Sequence, residues 1–201
     1  MRLRIFLFPA LCILILGSCK KADELTTQEL LDKGRPLSEI VEAKGLDSLY
    51  GKKYQGGLIA YLDTTMYKGF VVSEEDISST SYWGCNGFTN NFTTGDQIWD
   101  GKANQDAILL HCVDPLSAAK ACELYQTDGI MDWYLPSEKE MLTCFTNLHL
   151  KNMGNFSLDY YWTSTKGDLE GTAQHVLFID GGVSFSTVTN IHLTRAIRTV
   201  Y

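Results

Sequence analysis

Asp132-Trp133-Tyr134-Leu135-Pro136-Ser137-Glu138-Lys139-Glu140 is the stretch on which the fold turns. Pro136 disfavours the α region for the residue before it, so Leu135 reads as extended. Ser137 follows as a helix N-cap, and Glu140, three residues on, completes a capping box. The spacing predicts a helix over 137–148, with Met141, Leu142, Phe145 and Leu148 as its core-facing stripe. The junction therefore runs from extended chain directly into helix. Trp133 is large enough to fill a core between that helix and a sheet.

Working outward, the C-terminal third reads as strands. Tyr160 to Ser164 is one. Ala173 to Ile179 and Val183 to Val188 flank Asp180-Gly181-Gly182, a hairpin signal. Ala196 to Tyr201 makes a last strand. On the N-terminal side, Gly57 to Leu62 is a compact apolar run, and Gly69-Phe70-Val71-Val72 is its hairpin partner. Between these strands lie two further helices, 104–112 starting at Asn104 as N-cap and 117–126 starting at Ser117. Residues 73–103, rich in Ser, Thr, Asn, Gly and Asp, read as one long irregular loop. Strands at both ends with helices between define an α+β fold: helices on one side of a mainly antiparallel sheet in which the chain ends meet. Residues 29–50 hold two short units, each with one apolar face and a closing glycine (Gly34 and Gly45), and read as a small helical lead-in.

The first residues fix the compartment. Arg2 and Arg4 precede an apolar run from Ile5 to Leu16, shorter than the roughly 20 residues a membrane span needs. Leu16-Gly17-Ser18-Cys19 then resembles a bacterial lipobox, whose cysteine receives a diacylglyceryl group. Two or three acyl chains anchor a protein stably where one is marginal. The expected division is 1–18 signal peptide, 19–28 lipidated tether, 29–52 helical lead-in and 53–201 main domain. The expected place is the outer membrane, held to the bilayer through Cys19, with periplasmic or outward display left open. Lys20-Lys21-Ala22-Asp23-Glu24 looks like the surface-export signal of Bacteroidetes lipoproteins, or reads simply as a solvated tether.

The composition is 45% hydrophobic and 20% charged, with 17 Gly and 4 Pro in 201 residues, which excludes wholesale disorder, collagen and coiled coil. Lys+Arg 17 against Asp+Glu 24 gives a net charge of −7, and loss of Arg2 and Arg4 with the signal takes it to −9. No basic patch offsets this, so nucleic acid is not an expected partner. Of six cysteines, Cys12 leaves with the signal and Cys19 is acylated. Cys85, Cys112, Cys122 and Cys144 remain for disulfides, with three possible pairings, or for one disulfide beside two buried thiols.

Several local signatures occur in one order: Gly56-Gly57-Leu58-Ile59-Ala60-Tyr61-Leu62, Trp83-Gly84-Cys85, Gly101-Lys102-Ala103-Asn104, Ala118-Ala119 with Cys122, Asp132 to Ser137, Tyr161-Trp162-Thr163-Ser164, and Arg195-Ala196-Ile197-Arg198. Across roughly 53–201 this series resembles the bacterial domain typed by the C-terminal domain of the Legionella collagen-like adhesin, a family similar to C-type-lectin-like folds. The resemblance implies a surface recognition or adhesion domain, with sulfated polysaccharide as the type member's ligand. A chain at −9 lacks the basic face such a polyanion needs. The calcium-sugar tripeptides of true C-type lectins, Glu-Pro-Asn or Gln-Pro-Asp, are also absent. The signature residues Asp132, Trp133, Pro136, Ser137, Glu140, Trp162, Arg195 and Arg198 read as fold-determining. Arg195 and Arg198, three apart in a strand, fall on opposite faces, one buried against Asp132 or Glu140 and the other exposed.

Catalytic chemistry finds little support. His111, His149, His175 and His192 form no His-Glu-x-x-His motif, no Cys-x-x-Cys pair is present, and neither a phosphate loop nor a Gly-x-Ser-x-Gly elbow occurs. Glu74-Glu75-Asp76 reads as a solvated acidic turn rather than a calcium site. A formylglycine-generating type of enzyme needs a reactive cysteine pair near the C-terminus, and the last cysteine here is Cys144. No cofactor, metal or catalytic residue is expected. The expectation is a non-catalytic recognition domain for a glycan or protein, or else an accessory subunit of an envelope complex with no glycan ligand. Loop aromatics with polar neighbours nominate Trp83, Asn86, Phe92, Asp96 and Trp99 as the ligand surface, the alternative being that the aromatics turn inward as a satellite core.

Overall fold

The computed structural model describes residues 24–85 and 92–201. The expected signal segment, the expected acylation site Cys19 and Asn86 lie outside the described residues.

Two sheets, rather than the single sheet expected, organise the chain. The first has the order β1-β2-β3-β9: β1 (Lys53–Tyr54), β2 (Gly57–Asp63), β3 (Lys68–Val72) and β9 (Ile197–Val200), all antiparallel. The chain ends do meet here, with Val71 opposite Arg198. The second has the order β4-β8-β5-β6-β7: β4 (Ser78–Ser81), β8 (His192–Thr194), β5 (Tyr160–Lys166), β6 (Thr172–Leu177) and β7 (Gly182–Thr187). One parallel contact, Tyr161 opposite Leu193, joins β5 to β8, and the other pairings in this sheet are antiparallel.

The expected final strand begins late because Arg195 turns inward. Its side chain is fully buried, and its Nε donates to Asp76 Oδ1 at 2.6 Å. The two terminal nitrogens donate to the carbonyls of Ser73 (2.6 Å), Gly154 and Asn155 (both 2.8 Å). The chain thus leaves β8, pivots on this arginine and enters β9 in the other sheet. Asp76, read from sequence as part of a solvated turn, is the counter-ion.

Helix α5 (Glu138–Asn147) has the expected capping box, with Ser137 Oγ accepting from the Glu140 N–H and Glu140 Oε2 accepting from the Ser137 N–H. It packs on β2 of one sheet and on β5 and β6 of the other, so it bridges them. Helix α4 (Ala118–Leu124) starts at the expected N-cap, Ser117. Helix α3 (Gly101–Leu109) begins three residues before the expected start, and Asn104 is not its cap. Asn104 lies in the first turns, buried, holding both the N–H and the C=O of Gly95 through its side chain (2.8 and 2.7 Å) and donating to Ser164 Oγ (3.1 Å). A tertiary use of this side chain overrides its capping preference.

Helices α1 (Thr27–Asp32) and α2 (Leu37–Lys44) form the lead-in, the second capped by Gly45 at φ +81°. Leu31, Leu37 and Ile40 belong to the same buried core as the sheets. Gln28 bonds both the N–H and the C=O of Lys53, fastening the lead-in to β1.

The core is aromatic at its centre: Trp83, Trp133, Trp162, Tyr161, Phe70 and Phe178 are all fully buried. Full burial of a Phe-sized side chain contributes about 1.5–3 kcal/mol. Two indoles also find partners, Trp83 Nε1 on the Thr163 carbonyl (2.6 Å) and Trp162 Nε1 on that of Ser81 (2.9 Å). Cys85 and Cys112 form a disulfide across 27 residues, tying the long loop to the end of α3, while Cys122 and Cys144 are buried thiols. Closing a loop of that length contributes about 3.5 kcal/mol on chain-entropy grounds. Burial alone pushes the Cys122 thiol well above the usual range.

Candidate functional site

An open groove of about 680 Å³ lies where the 95–100 segment meets the outer face of α5. Helical periodicity builds one wall. Met141, Cys144, Phe145 and Leu148 bury one face of α5; Leu142, expected in that stripe, is instead half-buried at its edge and lines the groove with Lys139, Thr143, Thr146 and Asn147. Tyr50, Tyr61, Gln97, Ile98 and Trp99 complete the lining.

Tyr61 reaches the groove because β2 bulges. The register against β3 slips between Ile59 and Tyr61, leaving Ala60 unpaired, and Asn147 Nδ2 donates to the freed Ala60 carbonyl at 2.9 Å. A bulge re-aims the following side chain, and here it delivers a tyrosine.

Trp99 is held more unusually. Its φ is +83°, in the left-handed region, where a bulky side chain costs on the order of 1–2 kcal/mol. Its N–H donates to Glu140 Oε1 at 3.0 Å. Glu140 is completely buried and also accepts the backbone N–H groups of Ser137 and Gly101. Burial raises its carboxyl to about 6 even though those N–H groups pull the other way. A Cβ at Gly101 would overlap Glu140 Oε2, so glycine is required for this approach. Ser137 Oγ donates to the Gln97 carbonyl (2.7 Å) and the Lys139 N–H to that of Asp96 (2.9 Å). The capping box that starts α5 therefore also pins the loop that carries Trp99. Around the indole, the Lys68 ammonium lies 3.9 Å from the ring centroid, with Tyr61 and Phe70 edge-on at 5.9 and 6.3 Å.

The nominated ligand residues divide. Trp99 stands in the groove wall. Asp96 is beside it, half-buried, with its carboxylate accepting from the Gln97 amide at 2.6 Å. Trp83 is a correction: with no exposed surface and its N–H spent on Thr163, it is core and offers no face to a ligand. Phe92 is half-buried and stacks nearly parallel to Trp83 and His111, at 6.4 and 5.3 Å. The loop aromatics thus split between core and groove. Tyr50, Tyr61 and the α5 residues were not nominated. The α5 set was findable as the helix face opposite the apolar stripe, whereas Tyr50 and the bulge at Ala60 leave no local signal.

Both signature arginines make ion pairs, but Arg195 does so with Asp76 rather than with Asp132 or Glu140. Arg198 takes Asp132 in a fork, at 2.6 and 3.0 Å, and holds the Asp132 carboxyl below its usual range. Among the described residues no group of three or more His, Cys, Asp or Glu is placed to hold a metal ion. His175 and His192 lie ring to ring at 4.8 Å, and burial followed by its neighbour's charge lowers His175 to about 4.

The chain matches no protein-family model, and no curated protein is significantly similar to it.

Proposed function

We propose that this protein is a non-catalytic recognition module of the bacterial envelope, anchored through Cys19, that binds a saccharide in the Trp99 groove. The observation that carries the reading is the groove's lining. Three aromatic rings (Tyr50, Tyr61 and Trp99) share it with hydrogen-bonding side chains (Gln97, Thr143, Thr146 and Asn147), one cation (Lys139), the apolar Ile98 and Leu142, and no carboxylate. Aromatic faces suit the C–H faces of sugar rings, and amides and hydroxyls suit their hydroxyl groups. The hydroxyls of Thr143 and Thr146 donate to the helix carbonyls of Lys139 and Leu142, which leaves their lone pairs for a ligand's donors. A strained residue clamped at the rim is the kind of feature that clusters at binding sites. A C-type-lectin-like origin and kinship with the adhesin domain belong to the same proposal. They are supported by the pairing of the two chain ends in one sheet and by a long loop carried between strands.

The test is a glycan array probed with the full chain purified in detergent, beside Trp99→Ala. Binding to a defined set of saccharides, weakened at least about tenfold by the substitution, is expected; tenfold corresponds to about 1.4 kcal/mol. Equally blank arrays for both proteins, together with capture of a stable envelope partner, would replace this reading with that of an accessory subunit. Protease shaving of intact cells checks display, since full protection would place the domain inward.

A further inference from the structure

Among the described residues the two sheets have four edge strands, and three of them are blunted. β1 is only two residues long, and its Lys53 is engaged by Glu74 at 2.6 Å. β9 is covered by the 132–136 segment: Tyr134 and Ile197 exchange two backbone hydrogen bonds (2.8 and 2.9 Å), and Arg198 crosses to Asp132. β4 is irregular between Ser78 and Ser81, and just beyond it Tyr82 pairs with Leu116 and Ala118. Shortness, cover, charge and irregularity are the devices by which sheets avoid unwanted strand addition.

Among the described residues β7 has none of them. Gly182-Val183-Ser184-Phe185-Ser186-Thr187 pairs with β6 in unbroken register, with no bulge, no proline and no charge. It is exposed at five of its six positions, and Val183 and Phe185, on one face of the sheet, are 41% and 44% exposed.

We propose that β7 is a self-association edge: a second copy of this chain adds its own β7 antiparallel, about a two-fold axis at Ser184, joining two five-stranded sheets into one continuous sheet. The sequence of the strand suits this partner and this register. A two-fold at Ser184 sets Val183 of each copy opposite Phe185 of the other and Gly182 opposite Ser186. Aromatic against β-branched pairs of this kind are the favourable ones across antiparallel strands. A slip of one residue would set Val183 opposite Ser186 and mismatch both faces. The chain carries a net charge of −7, yet identical β7 edges bring no like charges together. Asp180, the nearest acid along the chain, sits in the preceding turn, where its carboxylate accepts the Gly182 N–H at 2.8 Å. One short strand pair makes a small contact, so the association is reversible. None of these residues lines the Trp99 groove, so the inference stands apart from the saccharide reading.

The experiment uses the full chain in density-matched detergent. Sedimentation equilibrium is expected to show a mass rising from one chain to two across the micromolar-to-millimolar range. Phe185→Lys is expected to remain single-chain with an unchanged circular dichroism spectrum. Ser184→Cys sits on the axis, where facing Cα atoms are about 4.5–5.5 Å apart, within disulfide reach, and is expected to form a covalent dimer under mild oxidation. Thr187→Cys, roughly 20 Å from its counterpart at ~3.3 Å per residue, is not. A single-chain mass throughout, a dimer untouched by Phe185→Lys, or crosslinking as ready from Thr187→Cys as from Ser184→Cys would each overturn the proposal.

Discussion

Two buried charges hold this molecule together at opposite seams. Arg195 sits where the chain crosses from the second sheet to the first, and Glu140 where α5 meets the groove loop. Each gathers backbone groups: the guanidinium takes the carbonyls of Ser73, Gly154 and Asn155, and the carboxylate takes the N–H groups of Trp99, Gly101 and Ser137. They differ in what balances the charge. Arg195 has an opposite ion, Asp76. Glu140 has no opposite ion among the described residues; peptide N–H groups and the hydroxyls of Ser137 and Tyr134 surround it instead. The neighbouring ionisable groups, Tyr134 and Cys144, are both held neutral by burial. The arginine seam thus carries its own counter-ion, while burial without one raises the carboxyl of the glutamate seam to about 6.

The sharpest way to break the comparison is Arg195→Met. It leaves Asp76 without its cation and three carbonyls without their donor, and a loss of about 3–5 kcal/mol is expected in urea unfolding. Glu140→Gln is the milder cut, because one amide oxygen replaces two carboxylate oxygens. About 1.5–3 kcal/mol should disappear, and Trp99 groove binding should weaken with it.

The pH dependence separates the seams further. Glu140 is raised in the fold from 4.5 to about 6, so its contribution to stability is fully present below about 4.5 and is lost as pH rises through 6. At ~1.36 kcal/mol per unit this is about 2 kcal/mol. His175 works oppositely: lowered from 6.5 to about 4, it contributes stability above 6.5 that is lost as pH falls toward 4. Melting curves from pH 4 to 7 should therefore slope upward with pH in Glu140→Gln and downward in His175→Gln, with wild type between them. The smallest effect belongs to Arg198→Ala. Its partner Asp132 is 60% exposed, and about 0–1 kcal/mol is expected in the same unfolding assay.

Much of the fold was legible because its signals are local. The Pro136-Ser137-Glu140 junction, the Ser117 cap and the Asp180-Gly181-Gly182 hairpin each depend on residues within a few positions of one another. What escaped depends on distance along the chain. Asn104 reads as a cap until Gly95 and Ser164 are placed beside it. Asp76 reads as solvated until Arg195, over a hundred residues later, turns toward it. The groove was half legible for the same reason. Trp99 stood out in a polar loop, but Tyr61 enters only through the bulge at Ala60, and Trp83 shares Trp99's sequence texture while lying in the core.

The pairing of β3 with β9 carries a consequence for how the chain is made. Residues 68–72 acquire their second neighbour only when residues 197–200 exist, so the first sheet cannot close during most of synthesis. At ~5–20 residues per second that wait is roughly 6–25 s. During it, Phe70, Val71 and Val72 form an open apolar ribbon. Closure of the first sheet therefore waits on residues 197–200, whatever the rest of the chain has already formed.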